Sequence, residues 1–352
     1  MEVLMLRFIR ANYVEITGIM AFAFFMYLIS FGDLFLIDIP EWIRNHFSLT
    51  HEHLQNMSSI FFGVFIEGIP FILVGVLVSS LIHVFVKEEM IWRFIPNSPL
   101  LSIPMAACLG LILPICECGI VPVARRLIQK GVPHYVVFTF LLAAPIINPI
   151  TITSTYIAFG DSWEMVGLRL FFAGIIAIMM GSCLGLFFSN RSILKEEDVG
   201  KNQQHDCSCE NHCDHSHSHL KQGRISHALY HSIFEFIDMS KYFILGGLIA
   251  AAFQTWIGIT AIKEIASDGW IGILLMMGLA FGLSICSSAD AFIASSFRTA
   301  LSTAPLLAFL IYGPMMDIKN VLMLSGSFRW SVVSFLFVGT TSLTFILTWL
   351  FL

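Results

Sequence analysis

The chain has 352 residues, of which 57% are hydrophobic and only 12% charged, and its net charge is −5. A mean hydropathy of +0.82 is far beyond what a water-soluble core absorbs, which excludes a soluble enzyme or binding module, and the mild acidity spread over loops excludes a nucleic-acid partner. An all-α polytopic protein of the cytoplasmic membrane is expected, with the lipid bilayer as its first partner, because backbone in lipid must satisfy its own hydrogen bonds.

Charge-poor runs long enough to cross a bilayer as helix then follow one another. The first, Val14 to Leu36, is too long for a signal h-region and lacks a small-residue cleavage site, so residues 1–57 are read as an extra N-terminal transmembrane helix with its connecting loop. The run 58–86 carries Glu67 in Phe65-Ile-Glu-Gly-Ile-Pro70, a lone membrane carboxylate suited equally to relaying protons or to pairing with an arginine.

The run 100–124 holds Leu113-Pro114-Ile115-Cys116-Glu117-Cys118-Gly119-Ile120-Val121-Pro122. Its two prolines remove backbone donors and Gly119 relaxes the helix, so a break at membrane depth is expected. Cys116 and Cys118 around Glu117 combine soft and hard donors suited to Cu(I), Zn(II) or a trivalent arsenical. The plainer reading is a pair of small buried hydrophobes, the role expected of Cys108 and Cys183. Glu117 weighs against it, because a carboxylate at the centre of a membrane helix costs about 2.5–3.5 kcal/mol and marks a pathway or proton relay. The run 134–158 is kinked at Pro145-Ile-Ile-Asn148-Pro149, and 166–188 completes a first permease repeat over 58–188.

Residues 189–231 form the long hydrophilic linker. Within it, His205, Cys207, Cys209, His212, Cys213, His215, His217 and His219 are a dense set of zinc- and copper-preferring donors. Their spacing is not that of a closed structural zinc site, which points to collecting, delivering or sensing ions; the alternative is a merely polar loop. No resident prosthetic group is expected, only transported or loop-bound Zn or Cu.

The second permease repeat, 232–352, contains runs at 235–257, 270–297, 304–325 and 330–352. Phe71-Ile-Leu-Val-Gly75 answers Phe243-Ile-Leu-Gly-Gly247, Cys116 answers Cys286, and Ala144-Pro145-Ile-Ile-Asn148 answers Gly313-Pro314-Met315-Met316-Asp317, at offsets of 172, 170 and 169. Two pseudo-symmetric repeats are therefore expected. In the second, Ser284-Ile-Cys286-Ser287-Ser288-Ala289-Asp290 again sets a thiol near a costly carboxylate, unless Asp290 caps a helix at the interface. Asn148 and Asp317, each just past a proline, would face each other across a pseudo-twofold axis, with Met315 and Met316 as thioether donors or plain packing.

If 100–124 and 270–297 are re-entrant, only Arg44, Arg169, Lys263 and Arg298 of the 19 Lys and Arg fall outside, while Lys319 and the others fall on the cytoplasmic side. The positive-inside rule prefers that arrangement, and three spans per repeat make the repeats inverted. No G-x-x-x-x-G-K-[ST] phosphate loop, H-E-x-x-H helix or G-x-S-x-G elbow is found, so the chain is read as no enzyme and its energy as coming from a gradient, the membrane potential or a partner.

Cys116-Glu-Cys118-Gly-Ile-Val-Pro-Val-Ala, Lys130-Gly-Val-Pro133, Leu142-Ala-Ala-Pro145-Ile-Ile-Asn148-Pro149 and Cys286-Ser-Ser-Ala-Asp290-Ala-Phe together resemble the ArsP/YraQ-like predicted permease family over roughly residues 58 to 350. The resemblance implies efflux, of trivalent organoarsenicals in some members and of copper or zinc in a branch with a histidine-rich central loop, to which this chain is nearer. Ser287 and Ser288 after Cys286 depart from relatives with a second motif thiol, which argues against four thiolate ligands. Export of a soft metal or metalloid ion through Cys116, Cys118 and Cys286, with Glu117 and Asp290 as charge partners or proton carriers, is the leading expectation, and self-association is left open. Export of an organic arsenical with a dispensable loop, or a membrane thiol oxidoreductase using Cys116 and Cys118, are the competing ones.

Overall fold

The computed structural model describes residues 51–85, 96, 98–111, 115–188, 193–194, 220–256, 269–298 and 301–351. The first predicted span, Pro114 and the donor-rich segment 205–219 lie outside the described residues. The described chain is helical throughout apart from turns and one isolated bridge between Leu194 and Phe328. Its helices in chain order are α1 (His51–Phe85), α2 (Pro99–Cys108), α3 (Glu117–Gln129), α4 (His134–Ala143), α5 (Pro149–Ala158), α6 (Trp163–Phe187), α7 (Leu220–Trp256), α8 (Trp270–Leu283), α9 (Asp290–Ser295), α10 (Thr303–Met315), α11 (Ile318–Ser327) and α12 (Trp330–Leu350). The succession of a long helix, a helix–bend–helix segment, two short helices and a long helix runs from α1 to α6 and again from α7 to α12.

Among the described residues five stretches are long and apolar enough to cross a bilayer: Gln55–Ile82, Trp163–Phe187, Glu235–Trp256, Thr303–Ser327 and Trp330–Leu350. The protein is thus a polytopic, all-α membrane protein. The stretch Thr303–Ser327 differs from the rest, with 83% of its apolar window buried inside the protein against 28% for Gln55–Ile82. It is the most enclosed of the five described stretches, and the other four are each less than half buried within the protein.

The short helices show why the kinks fall where they do. Asn148 caps α5, its Oδ1 accepting from the Ile150 amide at 3.0 Å, and Pro149 occupies the first turn, where a missing N–H costs nothing. Asp317 caps α11 in the same way, accepting from the Asn320 amide at 2.6 Å. Neither α4 nor α5, at ten residues and roughly 15 Å, crosses a bilayer alone.

The long helices α1 and α7 pack along one another, and α3 lies against α1. The α1–α3 crossing is set by a glycine pair. A side-chain carbon on Gly75 would fall into the Gly119 backbone, and one on Gly119 would lie 2.7 Å from the Phe71 carbonyl oxygen. Small residues let helices approach to backbone contact in membranes. Gly75→Leu is therefore expected to destabilise the protein by about 1–3 kcal/mol through overpacking, whereas Gly63→Leu, on the same helix with nothing within 4 Å, is expected to be neutral; thermal unfolding in detergent compares them.

Two charges counted toward aqueous loops belong to the interior instead. Arg169 is 1% exposed and Lys319 is 4% exposed. The periodicity of loop charges could not show this, because each is held by a carboxylate distant in sequence or just across a helix start. Cys108, expected inside, is exposed on the surface of α2, and Cys183 is half-buried.

Candidate functional site

A cavity of about 210 Å³ lies where the two bent segments meet the long helices. The bend before α3 contributes Cys116 and the first turn of α3 contributes Glu117 and Cys118; the bend after α8 contributes Ser284, Ile285 and Cys286; α1 contributes Glu67 and Phe71, α7 contributes Gln254, and α11 contributes Lys319. Glu117 is 2% exposed and its Oε2 has no hydrogen-bond partner. Glu67 is exposed on α1 yet reaches the cavity wall. The Cys286 thiol is 3.1 Å from the Ser288 hydroxyl. Cys116, Glu117, Cys118, Cys286 and Glu67, each a candidate pathway residue from sequence, line this cavity.

The backbone explains how the second bend is held. Ser284 takes a left-handed conformation, φ 49° and ψ 46°, at the end of α8, a geometry that costs a residue with a side chain and is ordinarily filled by glycine. Its hydroxyl is placed by that turn to accept from the amides of Ile318, at 3.0 Å, and Lys319, at 3.4 Å, while Gln254 donates to the Leu283 carbonyl at 2.6 Å. The end of α8 is thereby tied to the start of α11 and to α7.

Lys319 places an ammonium in the cavity wall, 3.8 Å from Asp317 Oδ2. Three expected site residues lie apart from the cavity lining. Asn148 and Asp317 serve as helix caps, and Asp290 is sequestered in a second polar cluster, where its Oδ2 accepts from Arg169 Nη2 at 2.7 Å. Arg169 also donates to Thr155 Oγ1 at 2.6 Å and to the Ser287 carbonyl at 3.3 Å, and Thr151 donates to Ser287 Oγ at 3.4 Å. This cluster joins α5 and α6 to the turn before α9. A third buried pair, Arg126 with Glu235 at 3.7 Å, is reinforced by Ser79 donating to Glu235 Oε2 at 3.1 Å. Met315 and Met316 are packed in the core.

Sequence reasoning passed over Lys319, Ser284, Gln254 and Arg169. The available signal was a cation inside or at the edge of an apolar run, which membrane insertion does not tolerate without a partner. Among the described residues no three His, Cys, Asp or Glu side chains come close enough together to hold a metal ion. The cavity wall therefore offers donors without a preassembled ligand set.

A family model described as a predicted permease, ArsP_1, matches residues 53–351. The chain belongs to this permease family. Membership agrees with the fold of the described residues, a multi-pass bundle of the cell membrane, and makes the protein a transporter by family. Among similar proteins, the UPF0718 protein YcgR of Bacillus subtilis is 43% identical over 273 residues, covering 78% of this chain and 89% of the relative. A Streptococcus mutans protein, assigned by name to a two-component membrane permease complex as a subunit, is 40% identical over 289 residues, covering 82% of this chain and 92% of that one. The UPF0718 protein MJ0584 of Methanocaldococcus jannaschii is 29% identical over 114 residues, 32% of this chain and 30% of the relative. No solved structure matches the chain. In this permease the matched region takes in both bends and every described lining residue of the cavity.

Proposed function

We propose that this permease exports a soft metal or metalloid ion from the cytoplasm through the cavity at the two bends, between two repeats related by inverted duplication. The observation that carries the reading is that three thiols, from Cys116, Cys118 and Cys286, and the carboxylate of Glu117, whose Oε2 has no hydrogen-bond partner, line one cavity, although 170 residues separate the two bends. Soft sulfur beside a carboxylate favours Cu(I), Zn(II) or a trivalent arsenical over Na⁺, Mg²⁺ or Ca²⁺. Donors that line a wall without closing into a site suit a cargo that must leave as readily as it enters. The succession of elements from α1 to α6, repeated from α7 to α12, supports the duplication. The donors at 205–219 capture metal on the cytoplasmic side and pass it to the cavity, and by likeness to the Streptococcus relative a second subunit completes the permease.

Uptake into everted vesicles, with zinc, copper and methylated arsenite side by side, tests the reading. Uptake of at least one is expected, and failure of all three would remove the proposed cargo class. Deleting residues 205–219 is expected to lower zinc or copper transport severalfold at limiting metal, as loss of a capture site predicts, and to leave arsenite transport unchanged. Transport of methylated arsenite alone, unaffected by the deletion, would assign the cargo to organic arsenicals.

A further inference from the structure

Among the described residues that line the cavity, Lys319 is the one that carries a positive charge. It is 4% exposed, and its ammonium stands 3.8 Å from Asp317 Oδ2, too far for a hydrogen bond and near enough for attraction. The Oδ2 of Asp317 and the Oε2 of Glu117 are both buried without a hydrogen-bond partner. Lys319 lines the same cavity as Glu117, Cys118 and Cys286. One cation thus pairs with buried Asp317 and lines a cavity with buried Glu117.

The backbone of Lys319 is held closely, and its ammonium is beyond hydrogen-bond distance of Asp317 Oδ2. Ser284 Oγ accepts from its amide, and a side-chain carbon on Gly246 of α7 would lie 2.8 Å from its Cα, so only glycine allows α7 and α11 to meet there. A lysine ammonium on a four-carbon stem is a mobile point charge, unlike the rigid fork of arginine.

Resting on the proposed function, we infer that Lys319 is a tethered counter-cation that limits how tightly the cavity holds its cargo. In the empty cavity it offsets the charge of Asp317 and Glu117. A metal cation arriving among Cys116, Cys118, Cys286 and Glu117 competes with it and leaves it to Asp317 alone; when the cargo departs, the ammonium again serves both acids. A site with the two acids and no lysine would bind more tightly and release more slowly, which is a trap in place of a transport site.

The test is protection of Cys116, Cys118 and Cys286 against N-ethylmaleimide by zinc in the purified full-length chain, read peptide by peptide so that the 205–219 donors do not contribute, together with zinc uptake into everted vesicles. Lys319→Met is expected to lower the protecting zinc concentration by about tenfold or more, as loss of a nearby like charge in a low-dielectric site predicts, while slowing uptake. Asp317→Asn, which frees the lysine to act on Glu117, is expected to move protection to higher zinc. Misfolding would weaken protection in both variants, so shifts of opposite sign identify the charge effect. If Lys319→Met fails to fold, the upward shift in Asp317→Asn together with recovery in Lys319→Met/Asp317→Asn carries the result. Protection of the wild type with shifts of the same sign, or none, overturns the role of Lys319 and spares the proposed function; no protection of the wild-type thiols overturns the metal reading beneath it.

Discussion

Replacing Cys116 and Cys118 together by serine is expected to cut export of a thiophilic cargo at least about tenfold, since losing even an outer-shell partner of a metal site costs that much in affinity. Serine preserves size and hydrogen bonding while substituting hard oxygen for soft sulfur, so a cargo recognised by shape alone would pass unaffected. Both thiols are free and buried in the cavity wall beside Glu117. Cells carrying the double variant should accumulate metal or arsenical under challenge, measured as cellular content, with membrane levels of the protein unchanged. Unchanged export would remove these thiols as ligands. Thiol trapping during transport separates the oxidoreductase alternative: a transporter keeps Cys116 and Cys118 reduced through its cycle, whereas a redox couple passes through a disulfide.

The Arg169→Met variant is expected to be the most destabilising single change at the buried charges, by about 3–5 kcal/mol, because it strands Asp290 in the interior. The pair is close, at 2.7 Å, and nearly sealed from solvent, with side-chain exposures of 2% and 3%. The Arg169 guanidinium also holds Thr155 and the Ser287 carbonyl, so its loss frees the turn before α9. The double change Arg169→Met/Asp290→Leu should recover most of the loss, as apolar replacement of a whole buried pair commonly does. Thermal unfolding in detergent of the two variants decides it. If the single variant matches the wild type, the pair contributes nothing to stability. If the double variant is stable but transports slowly, the pair acts in the transport cycle.

Much of the architecture was legible because lipid leaves the chain few options. Apolar runs of sufficient length must be helices, and prolines followed by Asn148 or Asp317 mark helix starts, so kinks in 134–158 and 304–325 could be placed from sequence. A break was expected in 100–124 and is found at 115–116, ahead of α3, which runs on through Gly119 and Pro122, and 270–297 is interrupted at 284–289. The likeness of the stretches around Cys116 and Cys286 led to the expectation that the two share a site, and both line one cavity.

The identity of the charge partners was not legible. Asp290 is a pathway acid from sequence and the partner of Arg169 in the fold; Asp317 is a cargo-facing acid from sequence and a helix cap beside Lys319 in the fold. A one-dimensional pattern shows that a charge in an apolar run is costly, and so must be answered, without showing by which residue. Local physics, the need of every backbone amide for a partner within its own helix, determined the class of protein, its spans and its bends. Only the tertiary structure decided which cation met which carboxylate, because that depends on how helices 121 residues apart, as for Arg169 and Asp290, come to share one dry interior.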